Sequence, residues 1–281
     1  MNLIDLHSHS TASDGLLSPS ALVELAANSG VEILALTDHD DVSGLEEACI
    51  AADKCNIHFI RGVEISVSWR GHTLHIIGLQ IDSDHPVLIS GLAELRAGRK
   101  IRAERIADSL AKAGINGALE GAQRHAGNPE ILNRTHFARY LVEAGYASNM
   151  RTVFNRFMSG GKPGHVKHEW VQMGDAISWI CASGGQAVLA HPGRYVLSDV
   201  EMCELLGEFR SLGGRGIEVV TGSHRPDQYP VFAKLAIQFD LLASIGSDYH
   251  GPGENRFPLG RLPELPSGVT PIWRDWPEVV V

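Results

Sequence analysis

Short apolar runs alternate with longer amphipathic stretches along most of the chain, and this rhythm predicts repeated strand–helix units. Leu3, Ile4 and Leu6 form a first strand that arrives at His7-Ser8-His9. Ser18-Pro19-Ser20 starts a helix, with Ser18 as N-cap and Pro19 at the first helical position; Ala21 to Ser29 is its body and Gly30 its stop. Val31 to Leu36 is a second buried strand, ending in Thr37-Asp38-His39-Asp40. A helix from about Gly44 to Cys55 precedes a third strand, Ile57 to Val63, which ends at Glu64. A fourth strand, Thr73 to Leu79, follows with no helix between and carries His75.

The pattern then turns helical, from about Leu92 to Leu110 and again at Arg134 to Tyr140 and Arg151 to Met158, until Gly160-Gly161-Lys162-Pro163-Gly164 breaks it. Strand–helix alternation resumes near Met173. A helix to Ser183 leads to the strand Ala187 to Ala190 and to His191-Pro192-Gly193-Arg194. The helix Asp199 to Leu212, the strand Gly216 to Val220 and the helix Tyr229 to Phe239 come next. Leu241 to Ile245 is the last strand and runs into Gly246-Ser247-Asp248-Tyr249-His250, before a Pro-rich, irregular tail. Seven strands are expected, in a largely parallel α/β sheet or barrel with polar residues gathered at the C-terminal strand ends. Residues 1–95 and 169–281 read as one barrel, and 96–168 as a small helical insertion.

Composition narrows the class. With 281 residues, 44% of them hydrophobic, and a mean hydropathy of −0.03, the chain suits a soluble globular protein large enough for one big core or two domains. No apolar run approaches the roughly 20 residues needed to span a bilayer, and the first strand begins too early for a secretory signal. Cys49, Cys55, Cys181 and Cys203 form no C-x-x-C pair, which suits a reduced, cytoplasmic protein. The net charge of −9 hides an asymmetry: residues 96–168 hold 13 basic and 5 acidic side chains, leaving 11 and 28 in the rest. A basic insertion in an acidic protein suggests a face built to meet an anion, although a solvated helical surface has the same composition.

Fourteen histidines raise the question of metal. His7 and His9 point the same way because strand side chains alternate, and Asp14 offers an oxygen ligand in the following loop. Later strand ends add His39, Glu64, His75, His191, Asp248 and His250. Six histidines and three carboxylates make a mixed N/O set suited to Zn, Mn or Fe, and nine ligands are too many for one ion, so two or three divalent ions are implied. Three carboxylates together would also repel one another unless cations lay between them.

His7-Ser8-His9, the Asp14 loop, Thr37-Asp38-His39, Glu64, His75, His191-Pro192 and Ser247-Asp248-Tyr249-His250 resemble, in chain order, the PHP (polymerase and histidinol phosphatase) family. The resemblance covers both barrel portions. It implies a distorted (β/α)7 barrel with a trinuclear site that hydrolyses phosphoesters. Carried over residue by residue, His7, His9, Glu64 and Asp248 hold one ion, Glu64 bridges to a second shared with His75 and His191, and Asp14, His39 and His250 hold a third. Manganese is the expected metal, with zinc or iron as alternatives. A metal-bound hydroxide can then be the nucleophile. Asp38 and His191 are the candidates for proton transfer, Asp38 having the alternative of orienting a ligand.

The insertion is expected to set specificity. Arg99, Lys100, Arg102 and Arg134 are candidates to clamp a second phosphate, Arg96, Arg99 and Lys100 sharing one helix face, and Arg194 to contact phosphate nearer the metals. Asn133-Arg134-Thr135-His136-Phe137-Ala138-Arg139 resembles the segment of the PHP branch that dephosphorylates 3′,5′-nucleoside bisphosphates and is linked to 5′ trimming of short RNA, with Thr135 where that branch has proline. His136 is a candidate substrate contact, helix packing being the plain alternative. The expected substrate is therefore a small phosphorylated nucleotide, with short single-stranded RNA as a second, and no membrane or obligate protein partner is implied. Base contacts are expected to be loose, by stacking. Histidinol-phosphate phosphatase shares the metals but suits a basic insertion badly. An amidohydrolase acting on C–N bonds lacks a metal-bridging lysine here. A degenerate nucleotide-binding module would not need nine intact ligands.

Overall fold

The computed structural model describes residues 3–276. Eight strands occur among them: β1 (Leu3–Asp5), β2 (Val31–Leu36), β3 (His58–Trp69), β4 (His72–Leu79), β5 (Val171–Gln172), β6 (Gln186–Leu189), β7 (Gly216–Thr221) and β8 (Leu242–Gly246). The sheet runs in the order β1-β2-β3-β4-β6-β7-β8, with β5 added beside β3. Its two ends meet: Leu6 N–H donates to Ile245 O at 3.0 Å and His9 N–H to Tyr249 O at 2.8 Å, nearly closing the barrel. The α/β barrel expected from the strand–helix rhythm is the fold observed.

Two features depart from the expected pattern. β3 does not stop at Glu64 but continues to Trp69, so Glu64 sits in mid-strand opposite Ile77. β4 is antiparallel to both β3 and β6. The cause is a two-residue hairpin: Arg70 (φ 45°) and Gly71 (φ 82°) take the left-handed turn that lets a strand fold straight back without a helix. The other is β5, a two-residue eighth strand too short to leave a periodic signal.

The helices are α1 (Pro19–Asn28), α2 (Leu45–Cys55), α3 (Pro86–Lys112), α4 (Ala118–Arg124), α5 (Arg134–Glu143), α6 (Met150–Val153), α7 (Met173–Ala182), α8 (Asp199–Ser211) and α9 (Tyr229–Gln238). Local chemistry sets their ends as expected at α1, where the Ser18 hydroxyl accepts from Ala21 N–H at 3.2 Å and Gly30 takes φ 84°. A π-helical turn, Phe154–Met158, continues α6. No helix among the described residues is long and apolar enough to cross a membrane.

Two cores are buried. The larger fills the barrel and the layer of helices around it, with Leu6, Leu34, Ile65, Ile76 and Val188 fully enclosed. The smaller joins Ala103, Ile106, Leu110, Phe137, Leu141 and Met158, and forms a helical cap over one end of the barrel. α3 belongs to both. Leu88, Leu92 and Leu95 pack into the barrel core, while Ala103, Ile106 and Leu110 pack into the cap. A boundary at 95/96 therefore falls inside one continuous helix.

Candidate metal centre

All nine candidate ligands converge at the mouth of the barrel beneath the cap. His7 and His9 follow β1, His39 follows β2, Glu64 and His75 project from β3 and β4, His191 follows β6, and Asp248 and His250 follow β8. Asp14 reaches in from the loop after His9. Three groups of donors each lie within 4.8 Å of one another: His9, Asp14, His39 and His250; His7, His9 and Asp248; and His39, Glu64 and His75. His191 joins the last, with Nε2 2.9 Å from Glu64 Oε1 and 3.3 Å from His75 Nδ1.

The spacing suits ions. His7 Nε2 lies 3.2 Å from His9 Nε2 and 3.5 Å from Asp248 Oδ1. Donors about 2.1 Å from a tetrahedral ion stand about 3.4 Å apart. His7 Nδ1 is 2.9 Å from Glu218 Oε1, which orients the ring so that Nε2, the atom an ion would take, faces another imidazole nitrogen. Buried Asp14 Oδ1, Glu64 Oε2 and His9 Nδ1 have no hydrogen-bond partner. A buried cluster of this kind fits divalent cations and suits little else.

Without an ion, the imidazoles and carboxylates of the cluster pair with one another electrostatically. Burial alone would raise the Glu64 carboxyl, yet the His75, His39 and His7 rings hold it well below the usual carboxylate range. Asp14 is likewise buried but held well below that range by His250 and His39, and Asp248 by His7, His9 and His250. Two site residues sit in left-handed backbone that a side chain rarely adopts, His191 at φ 29° and Asp248 at φ 56°. Asp248 is fixed by its N–H to His7 O at 2.9 Å, and His191 by its N–H to Glu218 Oε2 at 2.6 Å.

A layer of buried carboxylates supports the ligands. Glu218 holds both His7 and His191, and burial raises its own pKa. Asp5 accepts from Ser247 N–H at 2.8 Å and from His7 N–H at 3.3 Å, with burial pushing it up to about 6. Neither stands out in the sequence, though a lone Glu in Gly216-Ile217-Glu218-Val219-Val220 carries the signal of an inward polar group. Asp38 accepts from Ser10 N–H (2.8 Å), Ser10 Oγ (2.6 Å) and Ser13 Oγ (2.5 Å). Its carboxylate thus stiffens the loop that carries Asp14, and it does not line the cavity.

A cavity of about 420 Å³ opens over the ligands, walled by Arg99, Arg102, Arg134, Arg151, Arg194 and Arg256, with Trp170, Phe154 and Met150 as apolar surface. Arg102 and Arg134 have no carboxylate partner among the described residues, and the buried Arg102 Nε has no hydrogen bond. Burial, with Arg134 and Arg99 nearby, pushes Arg102 down to about 9, still cationic at neutral pH. Arg194 donates to Asp248 Oδ2 at 2.9 Å.

Three sequence candidates are placed differently from the phosphate contacts expected of them. Arg99 lines the cavity, but its donors are spent on Asp40 (2.7 Å), Ser66 Oγ (2.8 Å) and Asn133 Oδ1. Lys100 is exposed and lies outside the cavity, because one residue turns the helix by about 100° and Arg99 already faces inward. His136 is fully buried, its Nδ1 accepting from Asn133 N–H at 3.0 Å to cap α5. Burial lowers its pKa to about 4, and it too lies outside the cavity wall.

A family model of the PHP domain matches residues 5–220. The chain is 48% identical over 272 residues, 97% of its length and 95% of the relative's, to a 3′,5′-nucleoside bisphosphate phosphatase of Chromobacterium violaceum. It is 45% identical over 276 residues, 98% of its length and 94% of the relative's, to the 5′-3′ exoribonuclease Rnm of Escherichia coli. A solved structure described as an amidohydrolase from Chromobacterium violaceum, with bound sulfate and no metal, superposes with a TM-score of 0.94 at 48% identity, over 96% of this chain and 94% of that one.

Proposed function

The chain belongs to the PHP domain family, and from that premise we propose that it hydrolyses the O3′–P bond of nucleoside 3′,5′-bisphosphates, releasing phosphate and a 5′-nucleotide. The observation that carries this reading is the pairing, in one cavity, of a nine-donor cluster with two half-buried arginines that form no ion pair with a carboxylate among the described residues. A substrate with two phosphates needs two separated anchors. His7, His9, Glu64 and Asp248, then His75 and His191 with the shared Glu64, then Asp14, His39 and His250 would hold divalent ions, three per chain and manganese first among them. Such ions supply Lewis-acid polarisation of water and of the phosphoryl group.

The protein's own groups do the rest. The fixed donors place the ions that would bind the 3′-phosphate, Arg194 neutralises a phosphoryl oxygen from beside Asp248, and Arg102 and Arg134 take the 5′-phosphate. Phe154 offers a flat surface for a base, without hydrogen bonds that would select one. Water attacks phosphorus, the O3′–P bond breaks, and O3′ leaves with the bonding electrons and gains a proton. Asp38 serves as support for the Asp14 loop rather than as a base.

Trimming of 5′-phosphorylated RNA breaks the same bond. The 5′-terminal nucleotide leaves as a 5′-nucleotide, and the shortened chain keeps the phosphate. One pair of anchors therefore suits both reactions, and the similarity to an exoribonuclease supports the second. Free cysteines at positions 49, 55, 181 and 203 suit a reducing cytoplasm. Histidinol phosphate is disfavoured because its ammonium would face the arginine wall.

The test is phosphate release from adenosine 3′,5′-bisphosphate, AMP, 3′-AMP and histidinol phosphate, and release of 5′-nucleotides from a short 5′-phosphorylated RNA, with manganese or with chelator, and with Asp248→Ala as control. Metal-dependent conversion of the bisphosphate to AMP, lost in Asp248→Ala, is the expected result. Preference for histidinol phosphate, or no phosphate release from any substrate, overturns it.

A further inference from the structure

The cap does more than wall the cavity. Arg139, on cap helix α5, is 7% exposed, and its guanidinium grips two loops of the barrel at once. Nε and Nη2 donate to Glu254 Oε1 and Oε2 at 2.9 and 2.7 Å, and Nη2 also donates to the backbone oxygen of Asp14 at 2.7 Å. Asp14 is a candidate ligand on the first loop. The second loop, in which Asn255 Oδ1 accepts from His250 N–H at 2.7 Å, carries the candidate ligand His250. These two ligands face each other, His250 Nε2 lying 3.4 Å from Asp14 Oδ1.

Other cap contacts fall on the same side. Asn128 Nδ2 donates to Ala12 O at 3.1 Å, and a Cβ on Gly127 would stand 2.5 Å from Thr11 O, so the cap's 126–131 segment rests directly on the Asp14 loop. By contrast, His7, Glu64, His75 and His191 are held by barrel strands and by Glu218.

We propose that Arg139 is a positioning residue that assembles the ion site of Asp14, His39 and His250, so that filling of this one site depends on the docked cap while the other ion sites do not. The inference rests on the reading of the cluster as a multi-metal centre. Leu16 N–H already donates to His250 O at 2.7 Å and Asp38 stiffens the Asp14 loop from below, and the bidentate guanidinium adds the contact that fixes both loops against the cap.

The experiment is equilibrium dialysis of the metal-free protein against graded manganese, with bound ions counted per chain, for wild type, Arg139→Met, Glu254→Gln and Asp14→Ala. Thermal unfolding of each metal-free protein is measured alongside. The expected result is that Arg139→Met weakens one ion by about 10- to 100-fold, leaves the others unchanged, and matches the ion lost in Asp14→Ala. Glu254→Gln, which keeps Arg139 and sits at the cavity edge, should weaken the same ion less and serves if Arg139→Met does not fold. Loss of one ion in Asp14→Ala with wild-type binding in both Arg139→Met and Glu254→Gln overturns the proposal and leaves the metal reading standing. Parallel weakening of every ion in the Arg139 variant also overturns it, since that marks a general structural role. Full binding in Asp14→Ala removes the site itself, and the proposal with it.

Discussion

Replacing Arg102 by methionine separates binding of the second phosphate from catalysis at the first. Arg102 lines the cavity, its Nε has no hydrogen bond, and Arg134 and Arg99 act on it more strongly than the Asp40 carboxylate does. A hydrogen bond to a charged group contributes about 1.5–3 kcal/mol, so losing it should lower kcat/KM for adenosine 3′,5′-bisphosphate by about 10- to 150-fold. 3′-AMP has no 5′-phosphate and should be turned over within about threefold of wild type. The same substitution removes a half-buried cation crowded by Arg134 and Arg99, which the free protein offsets only through Asp40 and the Trp170 ring, 5.3 Å away. A methionine side chain keeps much of the apolar stem, so the substrate-free Arg102→Met protein should become more stable by about 1–2 kcal/mol, or about 2–4 °C in Tm. Steady-state kinetics on the two substrates and calorimetry without ligand give both numbers. Equal losses on both substrates would refute the assignment of Arg102 to the 5′-phosphate, and a lower Tm would refute the picture of a charge left unpaired until substrate arrives.

Three further outcomes follow from the geometry. Chelation should abolish phosphate release and lower Tm by several degrees, because ions that bind only the folded chain no longer stabilise it; calorimetry with and without manganese checks this. Glu218→Gln should weaken the ion held by His7 about 10- to 100-fold, since a neutral amide no longer orients and polarises the Nδ1–H; competition with a metal indicator measures it. Gly246→Ala would place a Cβ 2.2 Å from His7 Cβ and 2.8 Å from Glu218 Oε1, so it should cost at least about 2 kcal/mol of stability and most of the bound metal, read by denaturant unfolding and metal analysis.

The ligands are legible in the sequence because each lies next to a local signal: His7 and His9 after an apolar run, His39 after Val31–Leu36, Asp248 and His250 after Leu242–Gly246. Glu64 is legible too, but its place in mid-strand is not, since only the Arg70-Gly71 hairpin shows that β3 continues. Helical spacing groups Arg96, Arg99 and Lys100 on one face. Yet Leu88, Leu92, Leu95, Arg99, Ala103, Ile106 and Leu110 form a single buried stripe, and Arg99 sits at its centre. Read that way, Arg99 is an interior residue in need of a partner, and the partner, Asp40, is 59 positions away where no local pattern reaches. Glu218 and Arg139 escape sequence reading for the same reason: their roles exist only once distant loops have come together.

α3 runs unbroken through 27 residues, about 40 Å, with its first half packed into one core and its second half into the other. A rod shared by two bodies leaves no hinge between them at that crossing. Rocking the cap as a lid would mean bending the helix where Arg99 is pinned to Asp40 and Ser66. The proposed nucleotide substrates would enter through the standing mouth of the slot, where a fixed shape and charge pattern would set selectivity. An inhibitor with two correctly spaced anions meets the same mould before and after it binds, which makes rigid docking a sound way to search for one.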